Sequence, residues 1–403
     1  MVVANPNAFK TDVLVAGGGP AGLAAAIAAR QKGFKVTVAD AATAPIDKAC
    51  GEGLMPWGVS ALDHLGIHST EGFPFAGIRF LGSGVSVEAQ FRNGPGMGVR
   101  RTTLHRVLAA RAAEAGVVTL WGARVEAEPG CPITLAGRPV IYDWLVGADG
   151  LRSSVRRWAS LEGGRRGSQR FGFRRHFRLK PWSDFVEVYW GERCQLFVTP
   201  VGEEEVGVAL LARDPHLRLE DVLQSFPEVT SRIENAQTTS AERGGATANR
   251  ALRAVTRNRV ALVGDASGSV DAITGDGLSL ALKQAVALAG AMENGDLNSY
   301  QAAHQEIMRT PAIASSLLLE LGRHARLRKR VFNRFASNPA LFQDLFNIHT
   351  GPAGASFGLR HAGRLGWRLL APQPFAIVRS NFSSSQASAQ FHPPRAKRRQ
   401  ENP

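Results

Sequence analysis

An α/β fold with an inserted antiparallel β-sheet and a helical C-terminal segment follows from three features of the chain. Near the N-terminus a short apolar strand runs into a glycine turn and an alanine-rich helix. The stretch from Ser168 to Leu211 reads as β-strand. Helices dominate after Leu278. The 403 residues, 44% of them hydrophobic, are ample for a sizeable core and more than one lobe.

Asp12-Val13-Leu14-Val15-Ala16 is an apolar run that stops at glycine, as a buried parallel strand does. Pro20 to Gln31 is rich in Ala and Leu, which favours helix. Phe34 to Ala39 is β-branched and reads as the second strand. Residues 41–54 read as a loop, and a helix runs from about Pro56 to Leu65, ending at Gly66. Residues 77–92 alternate like strands (Ile78, Phe80, then Val85, Val87). Thr102 to Ala115 reads as a basic amphipathic helix, followed by strands over Val117–Glu128 and Ile133–Val146. Phe171, Phe173 and Phe177, then Phe185–Trp190, Gln195–Thr199 and Val206–Leu211, predict one face of an antiparallel sheet. Residues 216–235 read as mostly helical, and Val260–Val263 as another buried strand. Helices are expected from Leu278 to about Leu370. From Ser380 on, the serine-rich and basic composition predicts a disordered tail.

Composition narrows the function. Cys50, Cys131 and Cys194 are widely spaced and form no CxxC pair, so neither a disulfide framework nor a metal site is expected. A reducing, cytoplasmic compartment fits. The N-terminus has no apolar run of the signal-sequence kind, and no charge-free apolar stretch reaches about 18 residues, so no transmembrane helix is expected. The net charge of +14 is mostly arginine, concentrated around 152–180, 323–334 and Arg395–Arg399. Aromatic residues are few and no nucleic-acid motif accompanies the charge. It reads first as a solvated or cofactor-facing surface, and alternatively as a face for an acidic carrier protein or an anionic membrane.

Three motifs carry the chemistry. The first, Gly17-Gly18-Gly19-Pro20-Ala21-Gly22, follows a strand and opens a helix. Gly17 allows a tight turn, Gly19 a close approach of backbone to a pyrophosphate, and Gly22 close packing of helix on strand. Pro20 and Ala21 begin the helix, whose free N–H groups face the phosphates. Asp40 ends the second strand at about the spacing that places an acid on a ribose hydroxyl. This Rossmann-like unit does not by itself separate NAD from FAD.

The second motif, Asp149-Gly150-Leu151-Arg152-Ser153-Ser154-Val155-Arg156, follows the strand Trp144–Ala148. Its residues suit a turn with Ser153 capping a helix. They also resemble the Asp-Gly fingerprint of the p-hydroxybenzoate hydroxylase-like flavoproteins. The third, Gly264-Asp265-Ala266 with Gly275-Asp276-Gly277-Leu278 after it, resembles that family's ribityl-binding and ring-binding signature. The resemblance implies that Asp149 lies near the FAD pyrophosphate and that Asp265 accepts from a ribityl hydroxyl. It further implies that the helix starting near Gly277 and Leu278 points its N-terminus at the pyrimidine edge of the flavin. Arg101 resembles the family arginine that reaches FAD, and Val125 matches the position whose backbone meets adenine. Lys48-Ala49-Cys50-Gly51-Glu52-Gly53 resembles a segment near the flavin in the geranylgeranyl-reductase-like and halogenase-like branches, with Cys50 equally readable as a small buried hydrophobe.

On this reading an FAD-binding domain spans 1–76, 99–166 and 251–310, and a substrate domain spans 77–98 and 167–250. A helical segment follows over 311–379, with a basic tail over 380–403. The resemblance implies an FAD-dependent oxidoreductase using NADPH or NADH. The first expectation is a monooxygenase that hydroxylates a small hydrophobic, aromatic or polyketide-like substrate through a flavin C4a-hydroperoxide. The alternatives are a reductase of prenyl double bonds, a halogenase, or a non-catalytic flavin binder. The Trp-x-Trp-x-Ile-Pro segment of halogenases is absent, and Gln195–Pro200 keeps only part of the reductases' aromatic segment. No catalytic base is identified, although His68, His176 and Tyr189 stand near the strands expected to line the pocket.

Overall fold

Val13–Ala16 is wholly buried because it has parallel neighbours on both sides, Val36–Asp40 and Trp144–Gly147. Val118–Trp121 and Val260–Leu262 extend this sheet in parallel, and Thr256–Arg257 closes one edge antiparallel. The computed structural model describes residues 9–68 and 71–350. Its helices are α1 (Pro20–Gln31), α2 (Pro56–His64), α3 (Arg101–Glu114), α4 (Ser154–Trp158), α5 (Leu219–Leu223), α6 (Pro227–Ile233), α7 (Gly277–Glu293), α8 (Leu297–Arg323), α9 (Ala325–Ser337) and α10 (Pro339–Thr350).

Pro20 sits in the first turn of α1, where a missing N–H costs nothing. Behind it, Leu23 to Ala29 are buried against α3, α7 and the sheet. Their small side chains let α1 approach α7 closely, and this contact centres the first core.

The second sheet runs in the order Gln237–Thr238, Gly164–Arg178, Glu205–Ala212, Cys194–Gly202, Phe185–Trp190, Gly77–Gly82, Val85–Gln90. It is antiparallel except where Phe185–Trp190 pairs in parallel with Gly77–Gly82. There the sheet joins segments that lie on either side of α3 and the second motif in the chain, and strands from separate segments are free to run the same way. One face packs Phe173, Leu196 and Val208 against α5 and α6. The other packs Phe80, Trp190 and Phe197 against Phe332, Phe342 and Phe346 of α9 and α10.

Several elements depart from expectation. Arg243–Leu252 is a ten-residue strand paired with Gly164–Arg178. Its Gly-Gly-Ala-Thr-Ala-Asn composition has low β propensity, so pairing rather than side-chain type makes it a strand. The loop expected over 41–54 ends in the short strand Gly53–Leu54, which pairs with Gly96–Gly98. The strand expected over 117–128 is two strands, Val118–Trp121 and Val125–Glu126. The helix expected beyond residue 350 and the basic tail with Arg395–Arg399 lie outside the described residues.

Candidate functional site

The first motif is held by contacts that only glycine permits. Gly17 adopts φ 108°, and a Cβ there would strike the backbone of Ala148. A Cβ at Gly22 would strike the Gly17 carbonyl. Turn, helix and central strand are therefore joined backbone to backbone. Asp40 Oδ2 accepts from the Gly18 N–H at 2.7 Å and Oδ1 from the Ala42 N–H at 2.8 Å. His105 of α3, whose pKa burial pushes down, lies with Nε2 2.9 Å from the Gly18 carbonyl. An N–H on that nitrogen donates to the carbonyl.

Beyond this turn the backbone lies open. A Cβ at Gly51 or Gly277 would meet nothing within 4 Å, and one at Gly19 only Arg101 Nη2 at 3.8 Å. Lys48, Gly51, Gly275 and Gly277 are exposed. Asp265 is solvent-accessible yet surrounded by protein, as a group opening into a cleft is. Burial pushes its carboxyl pKa up, against the pull of Lys48, Arg101 and Arg156. Three cations drawn from three segments thus converge near one carboxylate. A cleft with bare glycine backbone and convergent positive charge suits a dinucleotide's phosphates. Arg101 Nε and Asp149 Oδ1 are both buried without a hydrogen-bond partner. These orphaned atoms and uncovered glycines fit FAD, the cofactor that the motifs imply.

The second motif supports the third. Asp149 Oδ2 accepts from the N–H of Ser154 (2.6 Å), the Ser154 hydroxyl (2.9 Å) and the N–H of Val155 (3.2 Å), closing the start of α4. Ser153 caps α4 as expected, accepting from the Arg156 N–H at 2.9 Å. The buried Arg156 donates to the carbonyls of Ala266 (3.0 Å) and Leu151 (2.8 Å), tying this turn to the one that carries Asp265. Val125 is buried on a short strand paired with Leu135. Gly264 donates its N–H to Gln284 of α7 at 2.7 Å, and a Cβ on it would lie 2.7 Å from that of Ala21.

A buried ionic network joins this cleft to the second sheet. Glu52, in the left-handed region at φ 60°, is 1% exposed. Its Oε1 accepts from the Arg101 N–H at 2.8 Å and lies 3.5 Å from Arg174 Nε. Its Oε2 lies 2.6 Å from His176 Nε2, and His176 Nδ1 lies 2.8 Å from the Ser240 hydroxyl. Arg174 also reaches Asp47 and the Lys48 carbonyl. Arg174 and His176 are two apart on one strand and so share a face, which pins the 47–52 turn to the sheet. Cys50 lies inside this turn, its sulfur accepting from the Glu52 N–H at 3.3 Å. Burial pushes the thiol pKa up while Arg101 draws it down.

These positions revise one expectation. The arginines of 152–180 do not all form a solvated surface: Arg156, Arg170 and Arg174 are buried and partnered, Arg170 with Asp271 at 3.0 Å. Of the three polar candidates, only His176 joins the network beside the cleft. His68 is exposed, and Tyr189 lies in the core on the opposite sheet face, bonded to Glu187 at 2.7 Å. Sequence reasoning assigned no role to Glu52, Asp47, Arg174 or Asp276. Arg174 and His176 between the buried Phe173 and Phe177 were the available signal, because alternation there puts polar residues on a second face.

Met55 lies 3.4 Å from where a Gly275 Cβ would be, and its N–H donates to Ser279 at 3.0 Å. Met55 belongs to a buried apolar cluster that also holds Phe75, Phe197, Ile273 and Phe346. Among the described residues no cluster suited to a metal occurs, and no helix is long and apolar enough to cross a membrane.

The model of the family described as FAD binding domain matches residues 10–294. The menaquinone reductase of Mycolicibacterium smegmatis is 29% identical over 332 residues, covering 74% of this chain and 80% of that protein. The digeranylgeranylglycerophospholipid reductase of Methanococcus vannielii is 24% identical over 298 residues, covering 67% and 74%. The p-nitrophenol 4-monooxygenase PnpA of Pseudomonas putida superposes with a TM-score of 0.71 at 17% identity, covering 85% of this chain and 98% of that one. At that identity the likeness is one of fold.

Proposed function

The chain belongs to the FAD binding domain family and is an FAD-dependent oxidoreductase; from that premise we propose that it reduces carbon–carbon double bonds in a long, apolar, isoprenoid-type chain. The observation that supports this reading is the buried apolar cluster that places Met55 against Gly275. Phe75, Phe197, Ile273 and Phe346 belong to the same cluster as Met55, and the buried charged groups of the 47–52 turn and the strand facing it, Glu52, Arg174 and His176, are engaged with one another. Apolar side chains in that place suit a hydrocarbon. Both sequence relatives are named as reductases of lipids that carry isoprenoid chains.

FAD, when bound, supplies two-electron hydride chemistry. The protein's part is binding and shielding. Gly17, Gly19, Pro20, Ala21 and Gly22 would hold the pyrophosphate, and Asp40 the adenosine ribose, with Val125 beside the adenine. Arg101, Lys48 and Asp149 would serve the phosphates and their approach. Gly264 and Asp265 would hold the ribityl chain. Cys50 and Gly51, with Gly275, Gly277 and Leu278, would border the ring. NADPH or NADH is the proposed electron donor. The exposed Arg326, Lys329 and Arg330 of α9 would favour an anionic surface, such as a membrane presenting the lipid.

Hydroxylation of an aromatic substrate stands as a second reading, favoured by one observation: the Asp-Gly-x-x-Ser-x-x-Arg motif is complete and tightly bonded. One experiment separates the two. Protein carrying FAD is reduced without oxygen and incubated with an isoprenoid quinone. A gain of two hydrogens that fragmentation places in the isoprenoid chain, and that persists after the quinol is reoxidised to the quinone, supports the reductase. No gain, together with an oxygen-dependent gain of one oxygen atom in a phenol, overturns it.

A further inference from the structure

We propose that His349 is a positioning residue for the flavin end of the cleft: it neutralises Asp276, so that the N-terminus of α7 keeps its attraction for an electron-rich ring. The inference deepens the proposed function and rests on FAD lying in the cleft.

α7 is 17 residues long and begins at Gly277, so its unpaired first N–H groups carry a partial positive charge. Asp276 is the residue just before it. Its neighbours Gly275 and Gly277 are exposed to the cleft, but its own side chain is 0% exposed. The carboxylate does not cap its helix. Among the described residues its ion-pair contact is His349 Nε2, 3.0 Å from Oδ2. Left alone, a buried anion at this point would cancel the helix end and repel charge gained by a reduced flavin. His349 comes from α10, beyond residue 294 where the family match stops. The edge of its ring meets Trp57 of α2, centroids 6.2 Å apart, which fixes its orientation. Burial disfavours the imidazolium, but Asp276 outweighs this and the His349 pKa is raised. Asp276 on α7 is the charged group that acts on it, while Trp57 on α2 is neutral. His349 Nδ1 and both Asp276 oxygens are buried without a well-aligned hydrogen bond, so the contact between the two side chains is one of charge.

The test is the midpoint potential of the bound flavin, measured at pH 6.5 by equilibration with a redox dye. His349→Gln removes the cation that faces Asp276. It should weaken the preference for reduced flavin about tenfold, a fall of about 30 mV for a two-electron couple. Adding Asp276→Asn to that variant removes the charge and should restore the potential. A His349→Gln protein that holds FAD at the wild-type potential overturns the proposal, as does a fall that Asp276→Asn fails to reverse. If His349→Gln loses FAD, retention by the double variant supports the proposal and loss from both overturns it. A wild-type protein that takes up no FAD overturns the proposed function as well.

Discussion

The cofactor cleft and the sheet-side wall that faces it are built by opposite means. The cleft is made of backbone: Gly17 and Gly22 are fixed by carbonyls, and Gly19, Gly51 and Gly277 leave room. The wall is made of side chains: Glu52, Arg174, His176 and Asp47 satisfy one another with little exposure to water. A backbone site fails when an atom is added, because nothing flexible can give way. A buried ionic site fails when an atom is taken away, because a charge is left unpaired. The cleft is therefore intolerant of size, and the wall intolerant of lost charge.

Gly17→Val should produce the largest effect. The added side chain meets the Ala148 backbone at a φ that β-branched residues avoid. A loss of more than about 4 kcal/mol is expected, read as little soluble protein and no flavin absorbance. Normal yield and normal colour would show that the turn has more give than its contacts imply.

Glu52→Ala tests the wall. Removing it leaves His176 without its carboxylate and Arg174 with Asp47 as its remaining one, and should cost about 3 kcal/mol in urea unfolding. FAD affinity of the folded fraction should change less than tenfold. An equal loss of affinity would dissolve the distinction between wall and cleft.

Asp265→Asn should act on the cleft alone. FAD retention should weaken about tenfold, as expected for one charge-assisted hydrogen bond. The stability of cofactor-free protein should move the other way. The folded-state pKa of Asp265 lies above its unfolded value, so the native state binds its proton more tightly and is penalised as the pH rises. The variant should thus be slightly more stable than wild type above that pKa, with the gain vanishing below about pH 4. Equal thermal midpoints across pH 3–8 would remove this account.

The smallest effect is expected at the Asp276–His349 pair. The raised pKa of His349 makes its stabilising contribution full below about pH 6.5 and lost as the pH rises through the folded value. The gap in thermal midpoint between wild type and His349→Gln should close toward high pH. A gap independent of pH would mean that the imidazole packs without carrying charge.

Wherever one local rule was enough, the structure agrees with the reading of the chain. Val13–Ala16, Pro20–Gln31 and Pro56–His64 form as expected, since buried strands ending at glycine and alanine-rich or proline-started helices need only short-range information. Ser153 caps α4 for the same reason. Arg243–Leu252 was not legible, because glycine and alanine form a strand there only beside the long Gly164–Arg178 partner. Nor was the parallel Phe185–Gly77 pairing, which depends on where two distant segments enter the same sheet.

The same division holds for function. The cofactor is legible in the chain, because a pyrophosphate and a flat ring are met by glycines and helix starts that must be contiguous. What faces that cofactor is set by packing between distant segments. Glu52 meets His176, and Asp276 meets His349, across segments that no motif spans. Such pairs are fixed by a partner's charge at close range in a buried place. That is a condition on three-dimensional position, and no spacing along the chain expresses it.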